Sequence, residues 1–395
     1  DALSAMEKLA QTNGEMELWW DSSPLIFSHW VKTMLADAEV REKVSEDQLR
    51  RLYNEEEPEK SLFRGVTTNP PLTKRVIDTF PEEWDTFIDN LLKATPELGV
   101  TRVMWETYRE VCRQGAKNYL PIFDASCYRY GYVSAQVDPR VLGDARVMME
   151  QALGLASLAP NIMVKIPGTQ AGLLVISLLT SLGIPTNATL VFTLPQIMSV
   201  AEAVRRGREL GEAYGTDFAR WRSVITIMIG RFEDNPVFDR EAEEAGVELT
   251  EEKRRWAGLA IAKKAYRLLQ ERGYASKLLV ASSRVSPKVG GEQRIWHIEK
   301  LAGGAIVYTM NPELIRDFMV LYADRELAAG IDEPVPHEVL EELLRIPYFA
   351  RAYVEDGISP EEFIDHPATQ ATKKQFSGAV EALETYIEDR RREKK

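Results

Sequence analysis

An amine held inside an apolar segment is the most chemically pointed feature of this chain: Lys165 lies in the run Ile162-Met163-Val164-Lys165-Ile166-Pro167-Gly168-Thr169. An ammonium in such surroundings must reach solvent, find a partner or lose its proton, because desolvation disfavours the charged form. The neutral amine is a nucleophile suited to a carbonyl. Further side chains with chemical capacity fall in or just after other short apolar segments: Asp21, Asn69, Gln136, Thr189, Arg231 and Arg284. Each also has a plainer reading. Lys165 on an edge strand would point to solvent, and Asp21 could cap the helix opened by Pro24. Asn69 before Pro70 is an ordinary turn residue, and Thr189 suits any strand. Arg231 and Arg284 have Glu233, Asp234 and Glu292 close by in the sequence as ion-pair partners.

For these groups to meet, the segments that carry them must be strands of one sheet whose ends converge. Short apolar strands are expected at 17–21, 62–67, 132–137, around Lys165, and at 187–192, 224–229, 277–281 and 303–308. Between them lies helical sequence, at 24–60, at 73–118 with breaks near Pro96 and Gly99, at 241–273 and at 311–325. Strands alternating with helices in this number predict an α/β fold, a parallel (β/α)8 TIM barrel. A doubly wound sheet would need a glycine-rich loop after its first strand, and Trp20-Asp21-Ser22-Ser23-Pro24 is not one. The expected organisation is an N-terminal helix at 1–15, a barrel at 16–325 and a C-terminal helical extension at 326–395, punctuated at Pro347 and Pro360. The period of two in the third strand turns Tyr132, Ser134 and Gln136 inward and Val133, Ala135 and Val137 towards helices.

Composition narrows the function further. With 395 residues, 45% of them hydrophobic, the chain can bury a large core. A net charge of −12 opposes nucleic acid as a partner. The basic tail from Arg390 to Lys395 alternates with Glu384, Glu388 and Asp389 and reads as a solvated helix end. Two cysteines, Cys112 and Cys127, are too few for a disulfide scaffold and suit a reducing compartment. His29, His297, His337 and His366 show no metal-ligand spacing. Neither a secretory signal pattern nor an unbroken apolar run of membrane length is present, so a soluble, cytoplasmic protein without a membrane partner is expected. The stretch 285–294, with Lys288, Gly290 and Gly291, reads as a flexible surface loop, the alternative being a second anion contact.

Several motifs together resemble the transaldolase family of lysine-dependent barrel enzymes. Gly65-Val66-Thr67-Thr68-Asn69-Pro70 is similar to that family's second-strand signature, and Val164-Lys165-Ile166-Pro167-Gly168-Thr169 to the strand carrying its Schiff-base lysine. Asp21, the run Asn187-Ala188-Thr189-Leu190-Val191-Phe192, Ile229-Gly230-Arg231 and Ala281-Ser282-Ser283-Arg284 follow in the same order, so that the resemblance spans roughly residues 15–325. It implies that Lys165 forms an imine with a sugar phosphate and that Asp21 moves the proton during carbon-carbon cleavage. Asn69 and Asn187 would hold hydroxyls of the retained three-carbon unit, and Thr189 with Gln136 would hold a water. Arg231, Arg284 and Ser282 would bind phosphate. No metal or organic cofactor is implied, and a homo-oligomer is compatible with the resemblance.

The pattern also departs from the family. Most transaldolases carry glutamate where Gln136 stands; the related fructose-6-phosphate aldolases carry glutamine there, but a tyrosine in the sixth strand where this chain has Met228. Thr226 occupies a position that is usually serine, and would line the substrate site. Transfer of a dihydroxyacetone unit is the function expected from the resemblance, with two alternatives: a lysine-dependent aldolase or specialised carbon-carbon bond-forming enzyme, and a barrel that binds without catalysis.

Overall fold

The computed structural model describes residues 2–393. Eight parallel strands close into a barrel: β1 (Glu17–Trp20), β2 (Phe63–Thr67), β3 (Tyr132–Gln136), β4 (Ile162–Pro167), β5 (Thr186–Val191), β6 (Ser223–Met228), β7 (Lys277–Ala281) and, beyond the small hairpin β8 (Lys288–Val289) and β9 (Glu292–Gln293), β10 (Val307–Met310). β10 completes the ring between β7 and β1. The architecture is the (β/α)8 TIM barrel with extra helices. Among the described residues no helix is long and apolar enough to cross a membrane.

Alternation along the strands builds two separate cores. Trp19, Tyr132, Met163, Val224, Leu279 and Val307 fill the barrel, while Val133, Ala135, Val137, Val164 and Ile166 pack outward against helices. The tryptophan pair shows the rule in miniature. Trp20 faces out to an aromatic cluster with Phe27, Trp30 and Phe63, and Trp19 faces in. Trp19 fits because its neighbour on β2 is Gly65, where a Cβ would lie 2.4 Å from the indole. At the N-terminal end of the barrel Glu17, 2% exposed, is bonded by Arg222 at 2.8 Å and Lys277 at 2.9 Å. Burial alone would raise its carboxyl pKa, but the two cations hold it at about 2. The Glu17 carboxylate at that end is thus ion-paired.

Three local expectations are corrected and one is refined. The eighth barrel strand starts at Val307, not at 303, because Gly303 at φ +88° turns the chain and its pro-Cβ position lies 2.6 Å from the Ala329 Cβ. The 24–60 region, expected as helical, divides into Phe27–Ala36, Ala38–Lys43 and Glu46–Leu52 with flanking turns; Asp37 and Ser45 each cap a new start. The stretch after Arg284 is a β-hairpin rather than an unstructured loop, since Gly290 and Gly291 at φ +59° and +86° make the two-residue turn that the strand twist favours. The end of the helix Pro367–Glu393 is docked, with Arg390 2.8 Å from Asp85 and 2.7 Å from Asp89; Lys394 and Lys395 lie outside the described residues.

That last helix runs across the C-terminal mouth of the barrel. Thr369, Thr372, Phe376, Val380, Leu383 and Ile387, spaced by three and four, form its buried stripe. It is fastened by Arg140, which follows β3 and reaches Glu384 at 2.9 Å while also gripping Asp138 at 2.8 Å.

Candidate active site

Lys165 projects from β4 into the barrel on the same face as Met163 and is 5% exposed. No ion pair or hydrogen bond to its amine exists among the described residues. Burial pushes its ammonium below the ordinary lysine range; Asp21 opposes that shift and Arg231 adds to it. Asp21 follows β1, its N–H bonded to Met310 O at 2.9 Å, and its Oδ1 accepts from Thr67 Oγ1 at 2.7 Å. Capping of the turn at Pro24 falls to Ser23, which accepts from the Leu25 N–H at 3.2 Å, so the Asp21 carboxylate is left for the mouth. Burial pushes that carboxyl above the usual range, against the pull of Lys165, the Thr67 bond and Arg231. Burial thus disfavours the charged forms of both Lys165 and Asp21, which lie within electrostatic reach of one another at the mouth, in contrast to the ion-paired Glu17 at the opposite end.

On either side of β4 stand the residues expected to hold substrate and water. Gln136 on β3 and Asn187 on β5 are both in register with Lys165, and Thr189 with Pro167. Asn187 is fully buried; its amide donates to Ser134 Oγ at 3.1 Å and accepts from Thr226 Oγ1 at 2.6 Å. Thr226 thereby orients Asn187 instead of standing free. Two neighbours behave differently. Gln136 Oε1 and Thr189 Oγ1 are buried and have no partner, and leaving such atoms unpaired costs about 1–3 kcal/mol each. Polar atoms orphaned on both flanks of the lysine strand suit a bound water or a substrate hydroxyl.

The backbone here is aimed deliberately. β5 bulges between Ala188 and Val191, with Leu190 in the left-handed region at φ +51°. Gln196, fully buried on the following helix, holds this geometry by donating to Gly168 O at 2.9 Å and Leu190 O at 3.0 Å and accepting from the Phe192 N–H at 2.9 Å. A Cβ on Gly168 would lie 2.6 Å from the Val191 side chain, so only glycine lets the ends of β4 and β5 approach this closely. Tyr108 supports the third strand from behind, its hydroxyl accepting the Gln136 N–H at 2.6 Å. Neither Gln196 nor Tyr108 stood out in the sequence. A glutamine three residues after Thr193 has capping-box spacing, a local signal for a helix start that carries no information on its reach back into the mouth.

Asn69 lies at the start of the helix Pro70–Thr79, where its Oδ1 caps the Leu72 N–H at 3.3 Å. Arg231 lies just after β6, as expected, on the short helix Ile229–Glu233. Ser282, at φ +56°, directly follows β7; its Oγ accepts from the Arg231 N–H at 3.4 Å and its carbonyl accepts from Arg284 Nη1 at 2.8 Å. Arg284 also pairs with Asp234 at 2.7 Å, as the plainer reading allowed. Arg231 pairs with no carboxylate among the described residues, contacting Gln375 and the Phe376 ring. Burial and the nearby Arg284 depress its guanidinium pKa, with Asp21 opposing.

Behind the arginines lies a buried network that composition and spacing had not revealed. Glu233 and His297 are both fully buried, 2.8 Å apart, and Arg255 bonds the other oxygen of Glu233. The Arg284 N–H donates to His297 Nδ1 at 3.0 Å, which makes Nδ1 an acceptor and places the ring proton on Nε2 towards Glu233. Arg255 reaches Asp234 at 3.2 Å. The segment bearing Arg284 is thus fixed through its backbone and through its carboxylate partner. Gly230 completes the fit, since a Cβ there would lie 2.1 Å from Ser282 O and 2.8 Å from Arg284 Cζ.

Comparison with known proteins agrees with this geometry. Residues 44–367 match the family model described as Transaldolase/Fructose-6-phosphate aldolase. The chain is 34% identical over 209 residues to Transaldolase 1 of Streptomyces avermitilis, covering 52% of this chain and 54% of that protein. It is 33% identical over 222 residues to Transaldolase of Thiobacillus denitrificans, covering 55% and 60%, and 31% over 234 residues to Transaldolase of Mycolicibacterium paratuberculosis, covering 58% and 60%. The match therefore spans about half the length of these relatives.

Proposed function

Because the chain belongs to the transaldolase/fructose-6-phosphate aldolase family, we propose that it is a transferase that moves a dihydroxyacetone unit between sugar phosphates through an imine on Lys165. The observation that carries this reading is the buried, unpartnered Lys165 amine facing the Asp21 carboxylate at the barrel mouth. The neutral amine adds to the ketone carbon of the donor to give a carbinolamine, and expulsion of water gives an iminium ion. Asp21 then accepts the proton of the hydroxyl next to the scissile bond. The bond's electron pair flows into the iminium, an aldehyde leaves, and the enamine remains on Lys165. Attack of the enamine on a second aldehyde, with the proton returned by Asp21 to the new alkoxide, and hydrolysis of the imine complete the transfer.

Gln136 and Thr189 are assigned to the water that is expelled and later returned, on the strength of their unpartnered oxygens. Asn187, held by Ser134 and Thr226, and Asn69 are assigned to substrate hydroxyls, and Arg231, Arg284 and Ser282 to the phosphate. Gln136 supports one second reading. A glutamine can orient water but cannot ionise, so an aldolase that releases free dihydroxyacetone is the alternative. The discriminating experiment supplies fructose 6-phosphate labelled with carbon-13 in its first three carbons together with an aldose phosphate acceptor. Label appearing in a new ketose phosphate supports transfer. Label found only in free dihydroxyacetone supports the aldolase, and no label movement would refute both.

A further inference from the structure

The two arginines at the mouth are held by chemically different partners. Arg284 is compensated by the carboxylate of Asp234 at 2.7 Å. Arg231, partly buried and within electrostatic reach of Lys165 and Asp21, is held instead by the neutral amide oxygen of Gln375 and by the face of Phe376, whose centroid lies 5.2 Å from the guanidinium carbon. Both partners come from the helix Pro367–Glu393, which Arg140 and Glu384 fasten on one side and Arg390 with Asp85 and Asp89 on another. Phe376 belongs to the buried stripe of that helix, at 2% exposed, so its ring cannot leave without lifting the helix.

A guanidinium beside a second guanidinium is repelled by it, and without a support it would swing towards solvent. A carboxylate would supply such a support but would also cancel the charge that a phosphate needs. An amide oxygen and an aromatic face fix the position while leaving the full positive charge available. We propose that Gln375 and Phe376 are positioning residues that hold Arg231 as the uncompensated cation for the substrate's phosphate, an assignment that rests on the reading of the site given above. The C-terminal helix thereby contributes to donor specificity as well as covering the barrel.

The test titrates inorganic phosphate into the full chain by calorimetry and, separately, measures borohydride trapping of unphosphorylated dihydroxyacetone. Gln375→Met, which removes the acceptor, should weaken phosphate binding about three- to tenfold, and Phe376→Leu about threefold. Gln375→Glu should weaken it most, by more than about tenfold, because the carboxylate competes with the ligand for Arg231. Trapping of dihydroxyacetone should fall by less than phosphate affinity in all three variants. Phosphate affinity in Gln375→Glu equal to or above that of the wild type would overturn the proposal, as would parallel losses of phosphate binding and trapping. Failure of the underlying reading is distinguishable. A wild-type protein that traps dihydroxyacetone but binds no phosphate removes the anion site and this proposal with it. One that binds phosphate but traps nothing removes the Lys165 chemistry and leaves the Gln375 comparison to stand on the calorimetry.

Discussion

Removing Arg284 should damage the protein's choice of donor far more than its stability. In the folded chain its guanidinium is about one-third exposed, 36%, and pairs with Asp234, itself 41% exposed, so the ion pair adds at most about 1 kcal/mol to folding. Asp234 is not orphaned by the change, because Arg255 remains 3.2 Å away. The loss in Arg284→Ala therefore falls on the ligand. One charge-assisted hydrogen bond to phosphate is worth roughly 1.5–3 kcal/mol, or one to two orders of magnitude in affinity. The assay is the ratio of kcat/KM for fructose 6-phosphate to that for fructose. That ratio is expected to fall about ten- to a hundredfold, while the melting temperature moves by no more than about 2 °C. The companion Asp234→Asn leaves Arg284 in place with its charge freed, and should hold the ratio within about threefold or raise it. Equal losses for both donors in Arg284→Ala would show that the arginine is structural and would refute the phosphate assignment.

Three further outcomes follow from the same geometry. Gln136→Glu introduces an ionisable group beside Lys165 and should raise the ratio of transfer to release of free dihydroxyacetone; a paired assay giving an unchanged or lower ratio would remove Gln136 from the water site. In Asp21→Asn the negative charge that favours the Lys165 ammonium disappears, so the lysine pKa falls further and the acid limb of borohydride trapping should move to lower pH; a shift to higher pH would contradict the facing arrangement. Gly65→Ala forces a methyl to within 2.4 Å of the Trp19 indole in a filled barrel, and should cost about 1–3 kcal/mol in denaturant unfolding, an undiminished midpoint arguing against that packing.

The gathering of Lys165 and the polar residues after successive strands at one end was legible because a parallel barrel brings its strand ends together. The alternation in β3 was legible for the same reason, with Tyr132 inside and Val133, Ala135 and Val137 outside. What escaped was set by contacts distant in sequence. Gln196 reads locally as a helix-start residue, and only the fold brings its amide to Leu190 and Gly168. His297, 64 residues from Glu233, gave no local signal of the bond between them. The hairpin at Gly290-Gly291 was a different kind of miss. Its two-residue turn pattern was present in the sequence, but strands of two residues carry too little periodicity to stand out.

Transfer through an imine requires Lys165 to be the residue that bonds the substrate. The most direct measurement is mass spectrometry of peptides from protein reduced with borohydride in the presence of fructose 6-phosphate, in wild type and Lys165→Ala. A dihydroxyacetone-sized mass on the peptide containing Lys165, absent from the variant, is the predicted result. An adduct on another lysine, or one that persists in Lys165→Ala, would contradict it.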